Sequence, residues 1–205
     1  MKTYAQDMED VILDKLLSNV EEGFYIDIGA NSPEVYSVTK LFYEKGWTGI
    51  NIEPLPDMYK ELCLCRPRDI NLNIGIGEYP GTMTLYLDGM GSTLSAMVIS
   101  DNHLENNKTI KIEVHTLGEV LHKYVDKAIH FIKIDVEGFE RQVLNGMDWN
   151  YRPWIFCIES TKPGTEIPSH EEWEYIMFEN DYELVKVHGI NRYYMDSQRK
   201  DIICF

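Results

Sequence analysis

The run Phe24-Tyr25-Ile26-Asp27-Ile28-Gly29-Ala30-Asn31 constrains this chain more than any other stretch. An almost unbroken apolar segment passes into Gly, a small residue and Asn, and an amphipathic segment follows. A strand buried on both faces reads this way, because helices cover both sides of a parallel sheet. Ligands of such a sheet sit beyond the carboxyl ends of the strands, where Asp27 and Gly29 fall. Gly29 permits close backbone approach and dihedrals that other residues avoid. The next apolar run, Gly49-Ile50-Asn51-Ile52, ends in Glu53. An acid about twenty residues after the glycine turn commonly holds a ribose hydroxyl pair. An ordinary α/β unit whose strands end in acids would read the same way.

Around that core the chain alternates strands and helices. Met8, Val11, Ile12 and Leu16 fall at helical spacing, so an amphipathic helix opens the chain. Ser32-Pro33 reads as a helix entry, with Val38, Leu41 and Phe42 on the buried face and Gly46 at the end. Asp57 is placed to cap a helix carrying Met58 and Leu62, which Pro67 stops. Strands are expected at Thr48 to Glu53, Ile70 to Ile76, His130 to Val136 and Trp154 to Ile158. Met83 to Leu87 alternates like an edge strand, and Ile110, Ile112 and Val114 make another short strand. Residues 88–108 read as a long loop over the ligand end. Two further helices carry Leu117, Val120, Leu121 and Tyr124, then Phe139, Val143 and Met147. Ser169 with Glu172 has capping-box spacing before a helix led by Trp173, and a hairpin at Tyr182 to Val187 and Arg192 to Tyr194 closes the chain. The expectation is an α/β, three-layer, mostly parallel sheet with one antiparallel strand, in a single domain over residues 1–205.

Charge narrows the partners. A net charge of -15 argues against nucleic acid and against anionic membranes. No apolar run approaches a bilayer span, so no membrane insertion is expected, and the N-terminus does not resemble a signal peptide. Cys63, Cys65, Cys157 and Cys204 show no metal-ligand spacing, which suits reduced packing cysteines in a cytoplasmic protein.

Four apolar strands end in acids: Asp27, Glu53, Asp135 and Glu159. Each could simply cap a strand or a helix N-terminus, but together they surround one crevice. A dinucleotide site should show G-x-G-x-x-G, whereas Gly29 is followed by Ala30-Asn31-Ser32-Pro33-Glu34. Without the second and third glycines the backbone cannot cradle a pyrophosphate, and two acids would repel it. A nucleoside cofactor lacking phosphates fits better. S-adenosylmethionine meets that condition, and an acidic crevice favours its sulfonium charge.

Several segments then match one family in order and spacing. They are Tyr4-Ala5-Gln6-Asp7 with Glu9-Asp10-Val11-Ile12-Leu13, Asp27 to Asn31, Phe42 to Pro54, Arg66 to Asn71, and Phe131-Ile132-Lys133-Ile134-Asp135-Val136-Glu137-Gly138-Phe139-Glu140. Arg152-Pro153-Trp154 and Pro168 to Glu174 add to them. The chain resembles the FkbM family of S-adenosylmethionine-dependent methyltransferases, in a branch often found beside glycosyltransferases. The resemblance implies the Rossmann-like class I methyltransferase fold, a seven-stranded sheet of order 3-2-1-4-5-7-6. It also implies O-methylation, frequently of a sugar or glycan hydroxyl, with a glycosyltransferase as partner or fused domain. By position, Asp27, Gly29, Asn31 and Glu53 would bind the cofactor, with Asn73 and Ile74 beside the adenine and Ser92 closing over it. Asp135 would face the methyl group, with Glu137 beside it.

For the chemistry, Asp135 could serve as the base for a weakly nucleophilic hydroxyl. Alternatively Asp135 and Glu159 could hold Mg²⁺ or Mn²⁺, as metal-dependent catechol-type methyltransferases do at neighbouring strand ends. His170 could be a base or a substrate ligand, or merely the first turn of a helix. Glu159, Asn191 and Arg192 are candidates for the acceptor pocket. Other small-molecule acceptors, or a binding module without catalysis, remain as competing readings.

Overall fold

The computed structural model describes residues 2–87 and 108–202. Helix α1 (Glu9–Leu16) precedes β1 (Phe24–Ile28), followed by α2 (Lys40–Glu44), β2 (Thr48–Ile52), α3 (Pro56–Cys65) and β3 (Ile70–Leu72). Three strands follow: β4 (Gly75–Ile76), β5 (Gly81–Leu87) and β6 (Lys108–His115). Helix α4 (Leu117–Tyr124) leads to β7 (Phe131–Ile134), and α5 (Glu140–Asn145) to β8 (Ile155–Glu159). A 3₁₀ turn (His170–Glu172), α6 (Glu174–Glu179), the hairpin β9 (Tyr182–His188) and β10 (Asn191–Asp196), and a 3₁₀ turn (Ser197–Ile202) complete it.

The main sheet has the order β3-β2-β1-β7-β8-β10-β9, with β10 antiparallel to both neighbours. Counting only its own strands, this is the expected 3-2-1-4-5-7-6. Labels along the whole chain differ because β4, β5 and β6 form a second sheet, order β4-β6-β5. The expected strand from Ile70 to Ile76 therefore splits. The Asn73 side chain donates to the Glu53 and Pro54 carbonyls at 2.9 Å, occupying the end of the β2 ladder. Released from β2, the chain pairs Gly75 and Ile76 with β6 instead. Met83 to Leu87 likewise pairs with β6 rather than edging the main sheet.

The strands are buried on both faces, which is why they read as apolar runs. Phe24, Ile26 and Ile28 share one core with Ile50, Ile132, Ile134, Val143 and Phe156. Tyr25 points the other way, into a second core with Leu13, Phe42, Trp47 and Phe131. Period-2 alternation puts Asp27 on Tyr25's side. In register across that face lie Asn51, Asp27, Lys133, Cys157 and Tyr193, a polar row through the sheet's middle.

Several local expectations change. The helix expected from Ser32-Pro33 starts only at Lys40, because Ser32 Oγ accepts from the Glu34 and Val35 N–H groups while Asn31 and Tyr36 take left-handed φ of 48° and 57°. Asp57 lies in the first turn of α3 rather than capping it, since Leu55 is the N-cap and Pro56 leads. Ser169 makes no side-chain cap, and Glu172 N–H donates to the Ser169 carbonyl to form the 3₁₀ turn. The capping box belongs to Thr116 and Glu119 at the head of α4. Met8 lies outside the buried stripe of α1, exposed and with a left-handed φ of 62°. Ser92, most of the expected loop, and Cys204 lie outside the described residues. Cys63 and Cys65 are exposed free thiols, and Cys157 is a buried one. Among the described residues no helix is long and apolar enough to cross a membrane.

The segment between Gly29 and α2 is held by Arg66 at the end of α3, only 2% exposed. Its guanidinium donates to the Pro33 carbonyl at 2.6 Å and to Ser37 Oγ at 3.1 Å. Arg66→Met keeps the packing length but strands those acceptors. A loss of about 2–4 kcal/mol is expected in urea unfolding, as for a buried charged hydrogen bond with one partner removed.

Candidate active site

The carboxyl edge of the main sheet opens into a cavity of about 960 Å³. Along that edge the sheet order sets out Glu53, Gly29, Asp135, Glu159 and Asn191 in turn, and all five line the cavity. Four inter-strand steps of about 4.8 Å separate Glu53 from Asn191, roughly 19 Å in all. Asn191 falls on this edge because β10 runs antiparallel, which sets its first residue opposite Glu159, the last of β8.

Gly29 has φ +78°, and a Cβ there would lie 1.9 Å from the Asp135 carbonyl oxygen. No side chain fits, so β1 and β7 close together just beneath the cavity floor. Beside it, Glu53 is 4% exposed and accepts from the Asn31 N–H at 2.8 Å and the Leu55 N–H at 2.7 Å. Those bonds fix the orientation of its carboxyl, although burial raises its pKa above the usual value. Ile74, Ile76, Leu85 and Ile112 supply an apolar wall at the same end.

Lys133 sits at the centre. Its ammonium donates to the Gly29 carbonyl at 2.9 Å and lies 3.2 Å from Asp135 Oδ2 and 3.5 Å from Asp27 Oδ1. Burial alone would discharge it, but the Asp135 and Asp27 carboxylates hold it charged, above its ordinary pKa. Burial opposes ionisation of Asp135 as well; Lys133 overcomes this and keeps Asp135 below the usual carboxylate range.

The neighbouring acids behave oppositely. Burial and the negative charge of Asp135 push Glu159 up to about 10, so it is protonated at neutral pH. Its Oε1 accepts from Thr161 Oγ1 at 3.4 Å, Oε2 is buried and accepts no hydrogen bond, and the proton it carries is shared with Asp135, to which its carboxyl is hydrogen-bonded. Burial, then Asp135 and Glu140, push Glu137 up to about 7. Glu140 also rises to about 7 through burial, although it accepts from the Gly138 and Val136 N–H groups. Those bonds fold the turn after β7, where Glu137 and Gly138 have φ of 54° and 92°. The strained turn leaves Glu137 on the cavity wall.

Other expected residues lie elsewhere. Asp27 is buried and does not line the cavity; it accepts from Thr39 Oγ1 at 2.8 Å and faces Lys133. Asn73 is engaged at the end of β2, while its neighbour Ile74 does reach the cavity. His170 and Arg192 are also off the cavity, paired with each other at 2.8 Å, with Glu174 bonding Arg192 at 3.0 Å. A guanidinium only donates, so His170 Nε2 must be the acceptor in that pair and is engaged. Neither the base role nor the substrate-ligand role expected of His170 fits this geometry, and Arg192 is likewise turned to Glu174. Sequence reasoning passed over Lys133, Glu140 and Glu9. A lysine inside the otherwise apolar Phe131–Ile134 strand was the signal available for the first.

The donor set does not fit a divalent cation. Asp135 already faces an ammonium, Glu159 holds a proton, and no group of three or more metal-ligating side chains occurs among the described residues. It does fit a phosphate-free nucleoside: an oriented carboxyl at Glu53 for ribose hydroxyls, an apolar wall for the base, and acids that repel diphosphate.

Lys133→Met tests the centre of this arrangement. It leaves Asp27 buried opposite no cation, so a loss of about 3–5 kcal/mol is expected near pH 7. In the variant, burial of Asp135 is no longer opposed by the ammonium, so its pKa should rise and thermal stability should recover as pH falls, the reverse of ordinary acid destabilisation.

The comparisons with known proteins bear on this geometry. The Methyltransferase FkbM domain matches residues 27–184. No curated protein matches the chain. Among solved structures, a TehB-like SAM-dependent methyltransferase from Corynebacterium glutamicum is similar, with a TM-score of 0.47 and 9% identity over 92% of this chain and 86% of that one. With more than half its length matched by the domain, the chain belongs to the FkbM methyltransferase family and is an S-adenosylmethionine-dependent methyltransferase.

Proposed function

We propose that the chain O-methylates a hydroxyl of a sugar or glycan, with Glu137 as the general base. The observation that carries this reading is the position and proton affinity of Glu137: it lines the cavity beside Asp135, with a pKa of about 7. A base works best when its pKa lies near the operating pH, because it is then both unprotonated and strong enough to take a proton. Asp135, held ionised by Lys133, is the weaker base of the two. Its fixed negative charge favours the cation brought by the methyl donor. Glu159 gives its proton to a hydrogen bond with Asp135 and keeps Oε2 as an acceptor for the acceptor molecule.

When bound, S-adenosylmethionine supplies a methyl group on a sulfonium sulfur. Glu137 would take the proton of the acceptor hydroxyl, leaving its oxygen able to receive the methyl group. Glu53, oriented by the Asn31 N–H, would hold the ribose end, and the Gly29 turn would let the amino-acid end approach the backbone. Correct positioning supplies much of the rate of such a displacement. The polar acceptor end, with Glu159 and Asn191, suits a polyhydroxylated molecule. A glycosyltransferase acting on the same glycan is the partner this reading calls for.

Glu137→Gln is expected to lower kcat by about 100-fold or more while leaving cofactor affinity intact. In the unaltered chain kcat should rise with pH through a limb near 7, since the base works only once deprotonated; the variant should lack that limb. Turnover that persists in EDTA is also expected. A pH–rate profile unchanged by the substitution would remove Glu137 as the base.

Glu53→Ala should weaken binding of S-adenosylmethionine or its demethylated product by about 1–3 kcal/mol in calorimetry. Unaltered affinity would take Glu53 out of the cofactor site.

A further inference from the structure

The segment before α1 is a built part of the cavity, and the cofactor reading gives it no role. Asp10, 0% exposed, anchors it: its carboxylate accepts from Thr3 Oγ1 at 2.6 Å, Tyr4 N–H at 2.7 Å and Val11 N–H at 2.8 Å. Met8 then turns the chain through a left-handed conformation, rare for a residue with a side chain. The turn brings Gln6, Asp7 and Glu9 to the cavity wall.

Two contacts fix them against the far end of the sequence. Glu9, 5% exposed, accepts from Asn191 Nδ2 at 2.8 Å and from the Asp7 N–H at 2.8 Å. At the β9–β10 turn, Gly189 has φ +54°, and a Cβ there would lie 2.6 Å from Asp7 Oδ2. Only a residue without a side chain lets the hairpin close on Asp7. Next to Asn191, on the same wall, stands Glu159, whose carboxyl is hydrogen-bonded to Asp135 and whose buried Oε2 accepts no hydrogen bond. A buried acceptor left without a donor beside a cavity can receive a hydroxyl proton from a ligand.

Glu159 and Asn191 lie roughly 14 and 19 Å along the sheet edge from Glu53, at the end the proposed cofactor contacts leave open. We infer that Asp7, Glu9, Asn191 and Glu159 form the acceptor site, and that it takes an uncharged polyhydroxylated acceptor and rejects anionic ones. Each Glu9 oxygen keeps a lone pair beyond the bond it already accepts, and the Asp7 carboxylate adds further acceptors on the same wall, so the two can receive hydroxyl protons from adjacent positions of a sugar ring. Glu159 Oε2, which accepts no hydrogen bond in the fold, can receive a third. A phosphate or carboxylate on the acceptor would instead meet Asp7 and Glu9 at close range, and like charges there cost affinity.

This inference rests on the methyl-transfer reading, and one experiment separates their fates. Methyl glycosides, their 6-phosphates, a uronic acid, a catechol and a simple aliphatic alcohol are assayed with S-adenosylmethionine against the unaltered chain, Asp7→Asn and Glu9→Gln. Glu9→Gln retains an acceptor oxygen for Asn191 but loses the one that accepts from the Asp7 N–H, and Asp7→Asn alters only a half-buried side chain. The expected result is turnover of a neutral glycoside, with its KM raised about 10-fold or more in both variants, while calorimetric affinity for the cofactor stays within about two-fold. The 6-phosphate should be a poor substrate that improves in Asp7→Asn. An acceptor KM that does not move, or a cofactor affinity that falls in parallel, overturns the acceptor assignment while leaving the sugar reading intact. Methylation only of the catechol or the simple alcohol overturns the polyhydroxylated class and the sugar reading together. If nothing is methylated, saturation-transfer NMR with the methyl glycosides decides. A transfer signal present in the unaltered chain and abolished by Asp7→Asn supports the site even though the methyl-transfer reading has failed. A signal that survives Asp7→Asn, or no signal at all, overturns both.

Discussion

The buried ammonium of Lys133 is the charge around which the site is arranged. It lies in register with Asp27 on β1 and within 3.2 Å of Asp135 just past its own strand, so one cation joins the two central strands through their polar groups. An isolated charge at this depth would be expelled or neutralised. Two carboxylates and the Gly29 carbonyl make it tolerable, and the dependence is mutual. Without Lys133, Asp135 would lose the partner that holds it ionised, and the burial-driven rise seen in Glu159 would extend to it. Burial raises the proton affinity of all three acids; Lys133 reverses this only at Asp135, whose charge then adds to the rise at Glu137 and Glu159.

That arrangement works against stability. Glu137, Glu140 and Glu159 all have folded-state pKa values above their ordinary 4.5, at about 7, about 7 and about 10. A group with a raised carboxyl pKa binds its proton in the fold at pH values where the unfolded chain has released it. Its contribution is full below about pH 4.5 and declines as pH rises through the folded value. Asp135, whose value is depressed, acts in the opposite direction at low pH. Replacing such acids by neutral isosteres would relieve the fold and remove the chemistry, which is the usual relation between a site and its scaffold.

Much of this was legible from the sequence, for physical reasons that differ by residue. The parallel strands declared themselves because burial on both faces leaves no polar alternation, and the acids at their ends stand out against that background. Glu53, Asp135 and Glu159 reached the cavity as strand-end residues must. Asp27 did not, because it lies inside β1 rather than beyond it, and the pleat turns it toward Lys133. His170 and Arg192 were misplaced because side-chain pairing between a 3₁₀ turn and β10 has no periodic signature. Asn73 shows the same limit: nothing in its neighbours' hydropathy marks it as the residue that ends a strand by bonding two carbonyls.

The break at Asn73 has a further consequence for the cavity. Had Ile70 to Ile76 continued as one strand, its apolar residues would have stayed in the plane of the main sheet, flush with its carboxyl edge. By leaving β2 after Leu72, the chain enters the second sheet, and Ile76, Leu85 and Ile112 from that sheet come to wall the cavity beside Glu53. One end of the crevice is thereby apolar and flat-sided, while the other is lined by the carboxylates and amide of Asp7, Glu9, Glu159 and Asn191. A heteroaromatic base gains from the first environment, and hydroxyl groups gain from the second, since each buried polar group needs a partner and each apolar face does not. Under the proposed reading, the polarity gradient along a single sheet edge would orient two different ligands relative to each other, with Asp135 and Glu137 between them.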